Sequence, residues 1–600
     1  MDRRHFMAGS GAAALALALE PRLAFAQTGS DEALRAAMER VFAGDLQLGP
    51  MGATSLGLDT GALGWARSRL DDFSLAGGAA QSRHAENRLA EIRAIADSGL
   101  SETWQVRKAV VAHMLEQRLV PDRFGIAALG GPYRLSQQDG AYFSVPDFLD
   151  SQHPVESAED AEAYLARLAA FPFALDDQSE AQRADAARGY CAPRWSLELV
   201  ESQIGALLEQ APAQSGMVRS LAARAGDANI PGAWEARAIA IVENEVYPAL
   251  RRQLGLVGQL KRGTRRGDGI WRVPRGGEIY EAALRHYTTT AMSAEEVHRV
   301  GLEQVAEISA ELDAILRGAG LTEGTVGERL NRLNTRPDQL YPDTEKGRAD
   351  LLASLTEGVA AMQARLPQAF ATIPDQPLEI RRVPVEIQDG APNGYYNIAA
   401  LDGSRPAIYW INLKDTGDWP EYQLPSLTYH EGVPGHHLHL TLLQQDADLP
   451  LLLKNYWLSA YGEGWALYAE MLAEELGGYA GLEKAGALQS WLFRAARLVV
   501  DTGLHAKRWT RERATDYLVE TVAFTRPRSQ REIERYCASP GQACSYKIGQ
   551  NAWMALRRKA EAALGERFDL RQFHEILKEG VMPLALLEQR VDAWIAKIAA

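Results

Sequence analysis

The stretch Leu424-Pro425-Ser426-Leu427-Thr428-Tyr429-His430-Glu431-Gly432-Val433-Pro434-Gly435-His436-His437-Leu438-His439-Leu440 constrains this chain more than any other. Four of the twelve histidines fall within ten positions, beside one glutamate and amid apolar residues. A solvated surface has no need of that arrangement, whereas a metal site does. Imidazoles suit borderline metals such as zinc, and a carboxylate next to the first ligand can act as general base toward water activated by the metal. The familiar zincin pattern H-E-x-x-H sets its two ligands one helical turn apart. Here the fourth residue after His430 is Pro434, while His436 lies six positions on and His437 seven. On a straight helix the seventh residue is about 10 Å up the axis, too far to share an ion. A shared metal therefore requires a broken helix, and Gly432, Pro434 and Gly435 are residues that break one. The competing reading is a kinked core helix with incidental histidines.

Downstream, Ser459-Ala460-Tyr461-Gly462-Glu463-Gly464-Trp465-Ala466-Leu467-Tyr468-Ala469-Glu470-Met471 reads as a helix with Glu463 and Glu470 on one face. A carboxylate between two glycines in apolar surroundings is a surface charge or a ligand, and the surroundings favour a ligand. His430, one of His436 and His437, and Glu463, with a fourth position for water, make the two-histidine, one-glutamate set of thermolysin-type sites. Glu470, one heptad on, is either an orienting partner of a ligand imidazole or a solvated residue. Further along come Asp501-Thr502-Gly503-Leu504-His505 and Arg535-Tyr536, then a loop with Pro540, Gly541 and Gln542 that opens a helix carrying Tyr546. Amide hydrolysis needs a donor for the developing oxyanion, a role open to Tyr546 with His505. Arg535 can hold a substrate carboxylate bidentately, and Tyr395 and Gln542 are further candidates for substrate contact. A core tyrosine and a surface arginine are the bland readings.

At the start of the chain, Arg3-Arg4 and Phe6 precede an apolar run from Ala12 to Leu19 and then Ala24-Phe25-Ala26. That order of basic, apolar and small residues reads as an export signal over 1–26, similar to a twin-arginine signal, although Asp2 stands where Ser or Thr is usual. The run is well short of the ~20 residues a membrane span requires, so the expectation is an exported, soluble periplasmic protein. The formal net charge of −14 argues against nucleic acid and anionic membrane surfaces as partners. Three cysteines exclude a disulfide framework; Cys537 and Cys544 are near enough in sequence for one local bond.

The expected fold is mainly α: a large two-lobed helical body with a deep central channel, comprising a helical N-terminal region over 27–340 and a metal-binding catalytic region over 341–600. Apolar residues recur at three- and four-residue spacing from Asp31 to about Leu260. The basic, Gly-rich stretch from Gly258 to Gly277 reads as a surface loop, and Ser293-Ala294-Glu295-Glu296 reads as a capping box opening a helix to about Leu316. Between Pro377 and Leu413 the period changes. Leu378–Val383 and Pro406–Leu413 are strand-like, separated by turn-like Asn393-Gly394-Tyr395-Tyr396 and Asp402-Gly403-Ser404-Arg405. A small antiparallel sheet beside the histidine helix is expected, either structural or an edge for strand addition by substrate.

The motifs His430–His437, Glu463–Glu470, Asp501–His505 and Arg535 to Gly549, with Pro274–Tyr280, Thr288–Thr290 and Gly301-Leu302 upstream, resemble the bacterial uncharacterised-domain family DUF885 over most of the chain. The resemblance implies a mostly helical relative of the HExxH metallopeptidases. A more distant likeness, to angiotensin-converting, oligopeptidase and Taq-type carboxypeptidase enzymes, implies that Gly435 precedes the second ligand and that Glu463 follows on the next helix. Two residues would then be inserted within HExxH. Tyr546-Lys547-Ile548-Gly549 is similar to the Tyr-x-Leu-Gly element of the Taq-type enzymes. The expected function is a periplasmic zinc peptidase binding one Zn2+ ion (or another divalent metal) and cleaving short peptides, with Glu431 as general base. The rivals are an amidase or esterase using the same metal, a peptide-binding protein without turnover, and a helical di-iron protein. The last needs repeated E-x-x-H, and Pro434 stands three residues after Glu431.

Overall fold

Long runs with helical periodicity and few β-branched stretches produce a mainly α-helical protein with one small sheet. The computed structural model describes residues 29–385, 388, 393–400 and 405–600; the expected export signal and the turn read at 402–404 lie outside them. No helix among the described residues is long and apolar enough to cross a membrane. Two compact units divide the chain. The first runs to Gly267 and takes in Arg272–Gly276, and the second comprises Asp268–Trp271 and Gly277–Ala600.

The first unit contains α1 (Ser30–Leu48), α2 (Leu75–Ala94), α3 (Glu102–Leu119), α4 (Ala158–Ala187), α5 (Arg194–Glu209) and α6 (Tyr247–Gly263) among its helices. Its interior is tied by Arg167 of α4, which is fully buried and donates to the backbone oxygens of Arg69 (2.8 Å) and Ala66 (2.9 Å) and to Thr54 (2.6 Å). Part of the expected 258–277 loop is helical, because α6 continues to Gly263 with Lys261 and Arg262 in its last turn, where cations favour the helix dipole.

The second unit begins earlier than the expected 341 boundary. The reason is α7 (Ala294–Gly318), which packs along α12 (Glu483–His505). The contact is close: a Cβ on Gly301 would lie 2.8 Å from the Leu498 Cβ. The expected capping box opens α7, with Ser293 Oγ accepting from Glu296 N (3.3 Å) and Glu296 Oε2 accepting from Ser293 N (2.8 Å). After α8 (Glu345–Gln363) come β1 (Leu378–Arg382), β2 (Gly394–Asn397) and β3 (Ala407–Ile411).

The sheet is mixed rather than antiparallel. Its order is β1-β3-β2, with β1 parallel and β2 antiparallel to β3. The segment read as an Asn-Gly turn, Asn393–Tyr396, is largely the strand β2, and this inserted strand lets β1 and β3 run the same way. β3 is central, and Ala407, Ile408, Tyr409 and Ile411 are all buried, which is the pattern of a strand covered on both faces.

Candidate metal centre

The helix carrying His430 ends where the sequence says it must. α9 (Leu424–Glu431) stops at Gly432, the chain crosses a cis Val433–Pro434 bond, and α10 (His436–Gln445) starts immediately after Gly435. Gly435 is required by packing, since a Cβ there would lie 2.0 Å from the His430 carbonyl oxygen and 2.3 Å from that of Tyr429. The loop is pegged by Trp465, whose indole donates to the Pro434 carbonyl (3.0 Å). Every residue from Thr428 to His439 is buried. The break therefore sets a last-turn histidine and a first-turn histidine side by side, with ring centroids 4.8 Å apart.

The third member comes from α11 (Ser459–Glu475). Glu463 Oε2 lies 3.5 Å from His430 Nε2 and 3.3 Å from His436 Nε2. Among the described residues His430, His436 and Glu463 are the group whose donor atoms could hold a metal, all within 4.8 Å of one another. Two turns along the same helix, Glu470 is fully buried and accepts from His430 Nδ1 (2.9 Å), Ser426 Oγ (2.6 Å) and Ser490 Oγ (2.7 Å). That bond places the His430 proton on Nδ1 and turns the Nε2 lone pair toward Glu463 and His436. Glu470 is thus an orienting partner and not a solvated residue.

The electrostatics suit a cation. Burial opposes charge on His430, but hydrogen bonds to Glu463 and Glu470 outweigh it and raise the imidazole to about 9. Burial likewise pushes Glu463 up, and the two histidines pull it well below the usual carboxylate range. A field that holds a proton this firmly between carboxylates is one a divalent cation can replace. Glu431, next to His430, is buried at 7 % exposure, and no hydrogen bond among the described residues engages its carboxylate.

The alternative ligand is excluded by geometry. His437 Nε2 donates to the Gln376 carbonyl (2.9 Å), and its Nδ1 accepts from the Tyr396 hydroxyl (3.1 Å), so neither nitrogen is left for a metal. His439 takes no part either. It is fully buried, pushed down to about 3 by burial, and tilted against Tyr461 at 5.5 Å.

The remaining expected residues separate into those near the cluster and those elsewhere. Tyr546 stands on α14 (Ser545–Leu564), whose backbone touches that of α11. A Cβ on Gly549 would lie 1.9 Å from the Ala460 carbonyl oxygen, and one on Gly464 would lie 2.5 Å from the Gly549 Cα. This contact brings the helix of Tyr546, one turn before Gly549, onto the helix of Glu463; burial first and then the Glu463 charge raise the Tyr546 phenol. Arg535, on α13 (Arg526–Ala538), donates to Gln542 Oε1 (2.7 Å) and Glu532 Oε2 (3.1 Å), so it and Gln542 are engaged with each other.

His505 is corrected. Its Nε2 donates to the Tyr536 carbonyl (3.0 Å) and its Nδ1 accepts from the Ile270 amide (3.0 Å), and burial lowers it to about 4. No nitrogen remains to meet an oxyanion. With Asp501, which accepts from the Tyr280 hydroxyl (2.7 Å) and the Gly541 amide (3.1 Å), it fastens the loop ahead of Tyr546. Tyr395 packs against the neighbouring strand. It stacks on Trp410 (6.4 Å, 27°), while its strand neighbour Tyr396, which points to the opposite face, is the one that meets the histidine helix at His437. Cys191, Cys537 and Cys544 are free, buried thiols, so the local disulfide is not formed.

Sequence reading missed Trp457 and Arg497. Trp457 packs edge-on against His436 (5.7 Å) over Gly462, where a Cβ would lie 2.1 Å from the indole. The spacing Trp457 to Gly462, aromatic then glycine, was the available signal. Arg497 of α12 lies over the Tyr546 ring, 4.4 Å from its centroid.

Fold and site together define a mainly helical protein with a buried two-histidine, one-glutamate cluster built on a broken helix. The chain belongs to the family described as "Bacterial protein of unknown function (DUF885)", whose model matches residues 50–591. It is similar to a solved structure described as "the putative lipoprotein from Colwellia psychrerythraea", at 33% identity, covering 95% of this chain and 100% of that one with a TM-score of 0.91. A second, "a putative lipoprotein of unknown function from Shewanella oneidensis", shares the fold at 17% identity, with 93% and 99% coverage and a TM-score of 0.71. No curated protein matches the chain significantly.

Proposed function

We propose that this protein is a metal-dependent hydrolase that cleaves amide bonds in short peptides. The observation that carries the reading is the convergence of His430 Nε2 and His436 Nε2 on one oxygen of Glu463, at 3.5 and 3.3 Å, beside the buried carboxylate of Glu431. Two imidazoles and one carboxylate are the donor set of catalytic zinc sites. A divalent cation held by these residues supplies Lewis acidity to a carbonyl oxygen and lowers the pKa of water. Glu431 accepts the proton of the attacking water and delivers it to the departing amine. Tyr546, whose ring is fixed under Arg497, donates to the oxygen on which negative charge builds. Export to the periplasm fits this reading, because a similar structure carries the description "putative lipoprotein" and Arg3-Arg4 with the apolar run Ala12 to Leu19 resembles a twin-arginine signal.

Metal content by mass spectrometry, together with a peptide-library digest with and without chelator, tests it. The wild-type protein should carry about one divalent ion per chain and His430→Ala should lose it. Glu431→Gln should keep the ion while hydrolysis falls by on the order of 10²- to 10⁴-fold. A fully loaded His430→Ala protein, or near-native turnover by Glu431→Gln, overturns the assignment. Cleavage of simple esters or non-peptide amides with no peptide cleaved would move the substrate class and leave the site intact.

A further inference from the structure

Beyond the cluster lies a second concentration of charge that hydrolysis itself does not require. Arg497 is 6 % exposed, and only two of its three guanidinium nitrogens are matched. Nε donates to the Tyr536 hydroxyl (2.8 Å) and Nη2 meets Glu532 (3.2 Å), while the buried Nη1 has no partner. Leaving a buried guanidinium donor unmatched is costly unless something supplies an acceptor.

Glu532 is over-subscribed. Its Oε2 serves Arg497, Arg535 (3.1 Å) and the Tyr536 hydroxyl (2.7 Å). Two guanidinium groups thus share one carboxylate, leaving a net positive charge. More basic groups stand on the same two helices. Arg494, one turn before Arg497, has a buried Nε without a partner while its Nη2 lies 3.9 Å from Glu470, and Arg528 is lowered to about 10 by burial, against the opposing pull of Glu532 and Asp418. The walls are aromatic, with the Arg497 guanidinium carbon 4.1 Å from the Phe493 ring centroid and 4.4 Å from that of Tyr546. Such rings hold the guanidinium plane still without consuming its donors.

Tyr546 links this place to the cluster, because its ring lies against Arg497 and its helix meets the helix of Glu463 where Gly549 touches Gly464. The Tyr546 side chain therefore stands between a group bound at Arg497 and the helix that carries Glu463.

We propose that Arg497, supported by Arg535, is a subsite for a carboxylate of the substrate. If the proposed hydrolase activity holds, this sets its substrate class: peptides carrying a free C-terminal carboxylate, or an acidic side chain, one or two residues beyond the bond that breaks. A planar guanidinium with an open N–H fits a carboxylate, whereas an amide in the same place presents NH₂ donors to it.

The test pairs acetyl-Ala-Ala-Ala with its C-terminal amide, and acetyl-Ala-Asp-amide with acetyl-Ala-Asn-amide. For each, kcat/KM is measured on the wild-type protein and calorimetric binding on the Glu431→Gln variant. One carboxylate-bearing partner should exceed its uncharged twin by about 100-fold or more. Preference within the first pair identifies the C-terminus as the source, and preference within the second identifies the side chain. In Arg497→Lys the acid-to-amide ratio should fall at least tenfold, because an ammonium cannot offer the planar fork. Arg535→Lys, at a less buried position, serves where Arg497→Lys fails to fold, and a smaller fall in the same ratio is expected. Equal handling of acid and uncharged partners, in turnover and in binding, overturns the subsite and leaves the hydrolase reading standing. Arg497-dependent binding of acids with no cleavage of any peptide by the wild-type protein keeps the subsite and sinks the hydrolase reading.

Discussion

Glu463 and Glu470, seven residues apart on α11, address opposite nitrogens of one imidazole: Glu463 lies 3.5 Å from His430 Nε2 and Glu470 2.9 Å from His430 Nδ1. A heptad advances a helix by two turns, about 10 Å, and returns to nearly the same face. One helix therefore holds a five-membered ring from both sides. Glu470 is itself held by Ser426 and Ser490, so the orientation of His430 is set by three elements, α9, α11 and α12.

Glu470→Gln should weaken the metal site without removing a ligand. The amide can still accept from His430 but loses the negative charge, and such outer partners typically contribute 10- to 100-fold in metal affinity. Competition against a chelator of known affinity checks this. Unchanged affinity would reduce Glu470 to a packing residue.

Tyr546→Phe should preserve the ring that Arg497 covers and delete one donor. Turnover should fall roughly 10²–10³-fold with little change in KM, since the donor matters most where charge develops. A lowered melting temperature with unchanged kcat per folded molecule would make Tyr546 a core residue.

His505 should govern acid stability and not turnover. Its folded pKa, about 4, lies below the ordinary value of 6.5, so its neutral form contributes stability that is present above pH 6.5 and lost as pH falls toward 4. The loss reaches at most about 3 kcal/mol. His505→Gln should lower the melting temperature at pH 7.5, narrow its gap to wild type as the pH drops to 4.5, and leave kcat per folded molecule unchanged. A hundredfold drop in kcat with normal melting would restore the catalytic role.

Gly549→Ala should be among the most damaging single-methyl changes in the second unit. The new Cβ would meet the Ala460 carbonyl at 1.9 Å, which the two helices can relieve only by moving apart. Overpacking of this kind costs about 1–3 kcal/mol or more. Because Tyr546 and Glu463 flank the contact, metal affinity should fall along with thermal stability. A variant with wild-type melting and metal binding would show that the helices have slack.

The cluster of His430, His436 and Glu463 was legible because a His-Glu pair, a Gly-Pro-Gly interruption and a second histidine need no knowledge of distant chain. The choice between His436 and His437 was not, because it depends on how the chain leaves Pro434 and on what Tyr396 and Gln376 do to His437. β2 was hidden by Asn393-Gly394, which has turn chemistry yet opens a strand whose pairing with β3 is set by distant chain. His505 drew a catalytic reading as the end of the cluster Asp501–His505, and only the backbone partners Ile270 and Tyr536, 235 and 31 residues away, reveal a fastener. Arg494 and Arg497 carry no motif that sets them apart in the sequence. Their burial, and the sharing of Glu532 from another helix, appear only when α12 and α13 meet.

The bare meeting of Gly464 and Gly549 has a mechanical meaning. Side chains between helices act as a compliant layer, able to change rotamer and let one helix slide on the other. Here that layer is missing, and main chain rests on main chain. Glu463 and Tyr546 accordingly ride on one stiff piece and keep their spacing when the surroundings shift. Any motion that opens the cluster must belong to something else.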